Sequence, residues 1–121
     1  MSSIDVSVVV PVFNEQENLP EFVSRIAAVM GGLPRSYEVV FVDDGSTDQS
    51  FQILKKSAEQ NPHLKIVRLS RNFGQHAAVF AGFEKSRGEI VVTLDADLQN
   101  PPEEIPKLLQ KMDEGYEVVG G

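Results

Sequence analysis

The chain opens with a short apolar run, Asp5–Phe13 (DVSVVVPVF), rich in Val and unbroken by polar alternation. Such a run predicts a strand buried on both faces. Asn18-Leu-Pro-Glu21 predicts a helix start, with Asn18 as cap, Pro20 in the first turn and Glu21 reaching back to the cap. Phe22, Val23, Ile26, Ala27 and Met30 recur on one helical face, and Gly31-Gly32 closes that element. Tyr37–Val42 (YEVVFV) predicts a second strand, followed by Asp43-Asp-Gly-Ser46. Ser46 and Gln49 are spaced as a capping box for a helix to about Gln60, with Phe51, Leu54 and Ala58 inward. The cycle then repeats. Leu64–Leu69 is a third strand, Arg71-Asn-Phe-Gly-Gln75 a loop into a helix that Gly88 closes, and Ile90–Leu94 a fourth strand. Phe80 and Phe83 sit at helical spacing and are assigned to the core. Asn100-Pro-Pro-Glu103 opens a fourth helix, Gly115 ends it, and Tyr116–Val119 is a fifth strand.

Strands alternating with helices imply an α/β domain of Rossmann-like, three-layer α/β/α type, with a parallel sheet covered on both faces. Residues 1–121 are expected to form one domain. The final strand has no crossover after it to bury one face, so the natural chain is expected to continue beyond Gly121. Composition narrows the functional classes. The 11 Lys and Arg against 18 Asp and Glu give a net charge of −7, which argues against nucleic acid or an anionic membrane surface as a non-specific partner. The chain has no Cys, excluding a disulfide framework, a thiol nucleophile and a Cys-based metal site. No apolar stretch approaches the length of a membrane span, and a cytoplasmic location is expected for these residues.

In an open parallel sheet, ligands bind beyond the carboxyl ends of the strands. Three acidic features fall at such ends: Asn14-Glu15, Asp43-Asp44 and Asp95-Ala-Asp97. If the first strand lies between the second and fourth, these tips converge on one acidic pocket. Carboxylates without thiols suit a hard divalent cation such as Mg²⁺ or Mn²⁺, whose natural anionic partner is a diphosphate. No glycine-rich phosphate cradle is present, because Pro11-Val-Phe-Asn-Glu15 stands where a dinucleotide binder would show G-x-G-x-x-G. The pattern points to a nucleotide used as a leaving group.

Pro11-Val-Phe-Asn-Glu15, Val42-Asp-Asp-Gly-Ser46 and Leu94-Asp-Ala-Asp-Leu-Gln-Asn-Pro-Pro-Glu103 together resemble the family 2 inverting glycosyltransferases of the GT-A fold. More narrowly, they resemble the branch that moves a sugar from a nucleotide donor to a polyprenyl phosphate. Arg71-Asn-Phe-Gly-Gln-His76 and Asn100–Ile105 look most like the undecaprenyl-phosphate 4-deoxy-4-formamido-L-arabinose transferases. Dolichyl-phosphate mannose synthases and bactoprenol glucosyltransferases are similar in less detail. The resemblance implies that Pro11, Phe13 and Glu15 line the nucleobase side of a donor pocket. It implies that Asp44 accepts a hydrogen bond from the base, that Asp43 supports the turn, and that Asp95 lies near ribose and metal. Asp97 would bind the cation directly, with Gln99 as a further oxygen ligand. The implied chemistry is in-line displacement at the anomeric carbon by a lipid phosphate, with the cation stabilising the departing diphosphate.

Relatives of this kind run well past position 121, supplying basic residues, the acceptor side and membrane helices. This chain is therefore expected to bind the donor without turnover, the full-length parent acting at the cytoplasmic face of the inner membrane in cell-envelope lipopolysaccharide modification. A UDP-sugar donor is favoured over a GDP-sugar. A sheet slot left open beside the fourth strand would invite self-association. Two alternatives remain: a non-catalytic nucleotide or Mg²⁺-binding module, and a receiver-like signalling domain. The latter needs a lone Asp after the third strand, where Leu69-Ser70-Arg71 stands. Glu15 reads equally as surface charge or pocket, Asn100 as a cap, Arg71 as a loop cation and His76 as a surface residue; His63 has no assigned role.

Overall fold

The computed structural model describes residues 4–96 and 101–113. Strands β1 (Ile4–Val12), β2 (Tyr37–Asp43), β3 (Leu64–Arg68) and β4 (Gly88–Thr93) alternate with helices α1 (Leu19–Gly31), α2 (Ser50–Gln60) and α3 (Gln75–Lys85). A 3-10 turn (Pro102–Glu104) then leads into α4 (Ile105–Asp113). All strand pairs are parallel, in the order β3-β2-β1-β4. β1 therefore lies between β2 and β4, with Val8 paired to Val39 on one side and Val92 on the other. This is the arrangement that brings the three acidic tips to one rim.

Alternation along β1 divides the core. Val6, Val8, Val10 and Val12 pack with Phe22, Ile26, Leu54, Ile105 and Leu109 of α1, α2 and α4, and Phe22 meets Phe41 edge to face at 6.2 Å between ring centroids. Val9, Val40 and Val42 face the other way, onto Ala78 of α3. The α3 contact is made through small residues. A Cβ added at Gly82 would lie 2.4 Å from Val9 Cγ1, so the helix backbone sits directly on the sheet. That seating corrects the expectation for Phe80 and Phe83, which are 64% and 47% exposed. Helical spacing identifies a face; the small-residue face is the one that allows close approach here.

Other expectations shift in detail. Gly88 does not close α3, which ends at Lys85 with Ser86 at the C-cap; Gly88 instead begins β4. Asn18 occupies the N-cap position of α1 but its side chain makes no cap hydrogen bond, donating to Glu15 Oε2 at 3.1 Å. Glu21 pairs with Arg25 at 3.2 Å instead of reaching back. Ser46 and Gln49 do not form a capping box, because α2 starts only at Ser50 and Ser46 Oγ accepts from the Asn14 amide at 2.9 Å. Phe51 is half-buried beneath the Arg68 guanidinium, 3.9 Å from its ring centroid, while Leu54 is fully buried. The Asn100 cap, the Gly115 stop and the Tyr116–Val119 strand lie outside the described residues.

Beneath α3, at the amino side of the sheet, lies a buried polar cluster. Ser7 and Glu38 are register partners on β1 and β2, and Ser7 Oγ donates to Glu38 Oε2 at 2.5 Å. The Arg87 amide donates to the same oxygen at 2.6 Å, and Lys65 Nζ stands 2.5 Å from Oε1. Ser7 Oγ also accepts from the Gly88 amide at 2.7 Å, so the cluster joins β1, β2, β3 and the start of β4.

Candidate functional site

A cavity of about 280 Å³ opens at the carboxyl ends of β1, β2 and β4, lined by Pro11–Phe13, Glu15, Asp44, Asn72, Gly74, Gln75, Asp95 and Ala96. Pro11, Phe13, Glu15, Asp44 and Asp95, widely spaced in the chain, thus share one concavity. Asp97 and Gln99, the other expected metal ligands, lie outside the described residues. Pro11 still pairs with Val42 in the ladder, and Phe13, just past the strand, is 44% exposed at the mouth.

Two connections hold the first wall. Asn14 takes a positive φ of 51°, which turns its side chain toward the loop after β2. Asn14 Oδ1 accepts from the Thr47 amide at 2.8 Å, while Ser46 Oγ and Ser50 Oγ accept from the Asn14 and Glu15 amides, each at 2.9 Å. Gln16 and Asp48 extend the pattern: the Gln49 amide donates to Gln16 Oε1 at 3.0 Å and the Gln16 amide to Asp48 Oδ2 at 3.3 Å. Asp48 is held ionised. Burial alone would raise its carboxyl, but hydrogen bonds from Ser50 and Gln16 outweigh that and lower it.

The adjacent aspartates divide their work. Asp43 is fully buried; its Oδ1 accepts from the Ser46 amide at 3.2 Å and its Oδ2 lies 3.9 Å from Arg68 Nε. It supports the turn. Asp44, also buried, reaches across to the segment before α3. Its Oδ1 accepts from the Phe73 amide at 2.7 Å, and its Oδ2 from the Gly74 amide at 3.0 Å and Asn72 Nδ2 at 3.2 Å. A carboxylate offers about four acceptor positions, so these three bonds leave capacity on Oδ1. Gly45, at φ 73°, completes the seat: a Cβ there would lie 2.4 Å from Arg71 C and Asn72 N.

Asn72, Gly74 and Gln75 were not among the residues singled out from the sequence as lining the site. Their signal was the Arg71–His76 stretch, with a glycine immediately before a helix; Gly74 has φ 102°. Gln75 Nε2 donates to Asp95 Oδ1 at 3.0 Å, closing the wall between α3 and the end of β4. Arg71 lies over the Phe73 ring at 4.7 Å and does not line the cavity. His76 lines a neighbouring apolar groove with Val79, Phe80 and Phe83, and His63 stacks on Tyr37 at 4.2 Å.

The cavity's charged lining residues are Glu15, Asp44 and Asp95, with no Lys or Arg among the described lining residues. Oxygen donors without sulfur or imidazole fit a hard cation such as Mg²⁺ or Mn²⁺. Among the described residues no group of three or more His, Cys, Asp or Glu is close enough to hold a metal by itself. Among those residues, too, no helix is long and apolar enough to cross a membrane.

Known proteins resemble this chain in sequence and in fold. The undecaprenyl-phosphate 4-deoxy-4-formamido-L-arabinose transferase of Enterobacter sp. (strain 638) is 56% identical over 116 residues, 95% of this chain and 36% of that protein. Its counterpart in Klebsiella pneumoniae subsp. pneumoniae is 54% identical over the same length. The chain thus spans about a third of the length of the curated relatives it matches. Among solved structures, a mannosyltransferase from Pyrobaculum calidifontis in complex with GDP-Man and Mn²⁺ is 33% identical, with a TM-score of 0.71 over 80% of this chain and 28% of that one. S. aureus TarS 1-349 in complex with UDP is 29% identical, with a TM-score of 0.75 over 92% of this chain and 32% of its own. Residues 7–121 match glycosyl transferase family 2, and the chain is accordingly a member of that family, built on the GT-A fold.

Proposed function

We propose that the cavity binds the nucleotide of a nucleoside-diphosphate sugar, and that the whole protein transfers that sugar to a polyprenyl phosphate with inversion. The observation that carries this reading is the convergence of Pro11, Phe13, Glu15, Asp44 and Asp95 at one rim of the sheet. The curated relatives named above are undecaprenyl-phosphate 4-deoxy-4-formamido-L-arabinose transferases, and that name supports the acceptor class. Solved relatives hold GDP-Man, UDP and UDP-GlcNAc; we assign a UDP-sugar here, following the arabinose-transferase likeness.

Pro11 and Phe13 offer apolar surface to the base, and Asp44 keeps acceptor capacity on Oδ1 for a ring N–H. Asp95 would hold the ribose and a cation, with Asp97 and Gln99 as the further oxygen ligands that the family resemblance implies. A bound Mg²⁺ or Mn²⁺ would supply Lewis-acid stabilisation of the departing diphosphate. A second, narrower proposal concerns these 121 residues, which span about a third of the curated relatives' length: they bind the donor without turning it over. The family match leaves the receiver-like reading without support.

Calorimetric titration with UDP and GDP, with and without Mn²⁺, tests the proposal. UDP binding that requires Mn²⁺ and is lost in Asp97→Asn is the expected result. Unchanged binding in that variant refutes the metal role.

A further inference from the structure

We propose that Gln75 is a positioning residue of this pocket, setting the Asp95 carboxylate for nucleotide and cation, and that Asp44 fixes where Gln75 stands. The inference rests on the nucleotide reading above. Gln75 is the first residue of α3, directly after the segment that Asp44 grips through the Phe73 and Gly74 amides and Asn72 Nδ2. Gly45 lets that segment lie against the turn, where any side chain would collide with the Arg71–Asn72 backbone. The helix start is therefore held from the β2 tip, and Gln75 Nε2 meets Asp95 Oδ1 at 3.0 Å. On the other side the Leu94 amide donates to the Val9 carbonyl at 3.0 Å, fixing the backbone beside Asp95 to β1. Two carboxylates just past the ends of different strands are thus linked through one short segment.

The chemistry of the amide matters. A neutral donor orients a carboxylate while leaving its charge intact, whereas a lysine in the same place would compete with a cation. One bond occupies one of about four acceptor positions on Asp95, so the rest stay available to a ligand. The bond is exposed, and a water-exposed hydrogen bond adds little to folding. Its effect belongs in binding, which separates a positioning role from a merely structural one.

The test is calorimetry of the chain and its Gln75→Ala and Gln75→Lys variants, titrated with UDP and with GDP, with and without Mn²⁺, alongside thermal melting. Alanine at a first helical position carries no helix-propensity penalty. Gln75→Ala should weaken Mn²⁺-dependent affinity for the tighter nucleotide about 5- to 10-fold, with melting unchanged to within about 2 °C. Gln75→Lys should narrow the gap between affinities with and without Mn²⁺. Affinity in Gln75→Ala within about twofold of the unsubstituted chain, or a parallel loss of binding and stability, overturns the inference while the nucleotide reading stands. Failure of the unsubstituted chain to bind either nucleotide with Mn²⁺ overturns both.

Discussion

Glu38 is a charge in an unusual place, almost wholly buried at the amino side of a parallel sheet. Burial on its own pushes the carboxyl up, but the Lys65 ammonium, the Ser7 hydroxyl and the Arg87 amide together hold it below the usual carboxylate range. A carboxyl depressed in the folded state contributes stability that is present above its unfolded value, about 4.5, and lost as pH falls through the folded value. Urea midpoints measured from pH 7 downward should therefore decline more steeply in the unsubstituted chain than in Glu38→Gln, which removes that ionisation. Parallel curves would show that the cluster is not a source of acid sensitivity. Asp44 presents a similar lesson about single residues. The Asp-Asp pair was visible as a feature at a strand end, yet its partners lie 28 to 30 positions away in the chain. No local spacing encodes that choice, which is why the Asn72–Gln75 wall escaped the reading of strand tips.

Among elements, α3 shows what periodicity can and cannot decide. The other helices present large apolar residues to the sheet, Phe22, Ile26 and Leu54 among them, where spacing places them; Phe51, half-buried under Arg68, is the exception. On α3 the inward positions are Ala78 and Gly82, and the large Phe80 and Phe83 point outward. Close packing of backbone against sheet outweighed side-chain hydrophobicity there. Gly82→Leu should cost roughly 1–3 kcal/mol by overpacking against Val9, whereas Phe80→Ala should change stability by less than about 0.5 kcal/mol. Denaturant unfolding of the two variants distinguishes them, and a reversed order would mean that the helix seats differently. Strand identity was more legible than helix orientation. Runs such as Val8–Val10 and Val39–Val42 are buried, and only a parallel sheet with helices on both faces buries them so completely.

For the whole molecule, the central position of β1 is what makes a site from distant residues; from the sequence it was only a condition, which the strand order β3-β2-β1-β4 meets. The borders of the sheet are a different matter. Among the described residues β4 pairs only with β1, Phe80 and Phe83 line one groove with Thr93 of β4, and Val91 is 38% exposed. Such an edge is a template for a second chain. We expect sedimentation at rising concentration to show self-association of these 121 residues, weakened by Val91→Lys. A single monomeric species throughout would show that the edge is already blunted.

The crosswise bonds between Asn14–Gln16 and Ser46–Ser50 carry a practical consequence for swapping parts among homologues. Each connection supplies the other's missing donors and acceptors, so grafting one without its counterpart strands polar groups on both. Exchanged parts must travel as a matched pair if hybrid proteins are to keep a working binding rim.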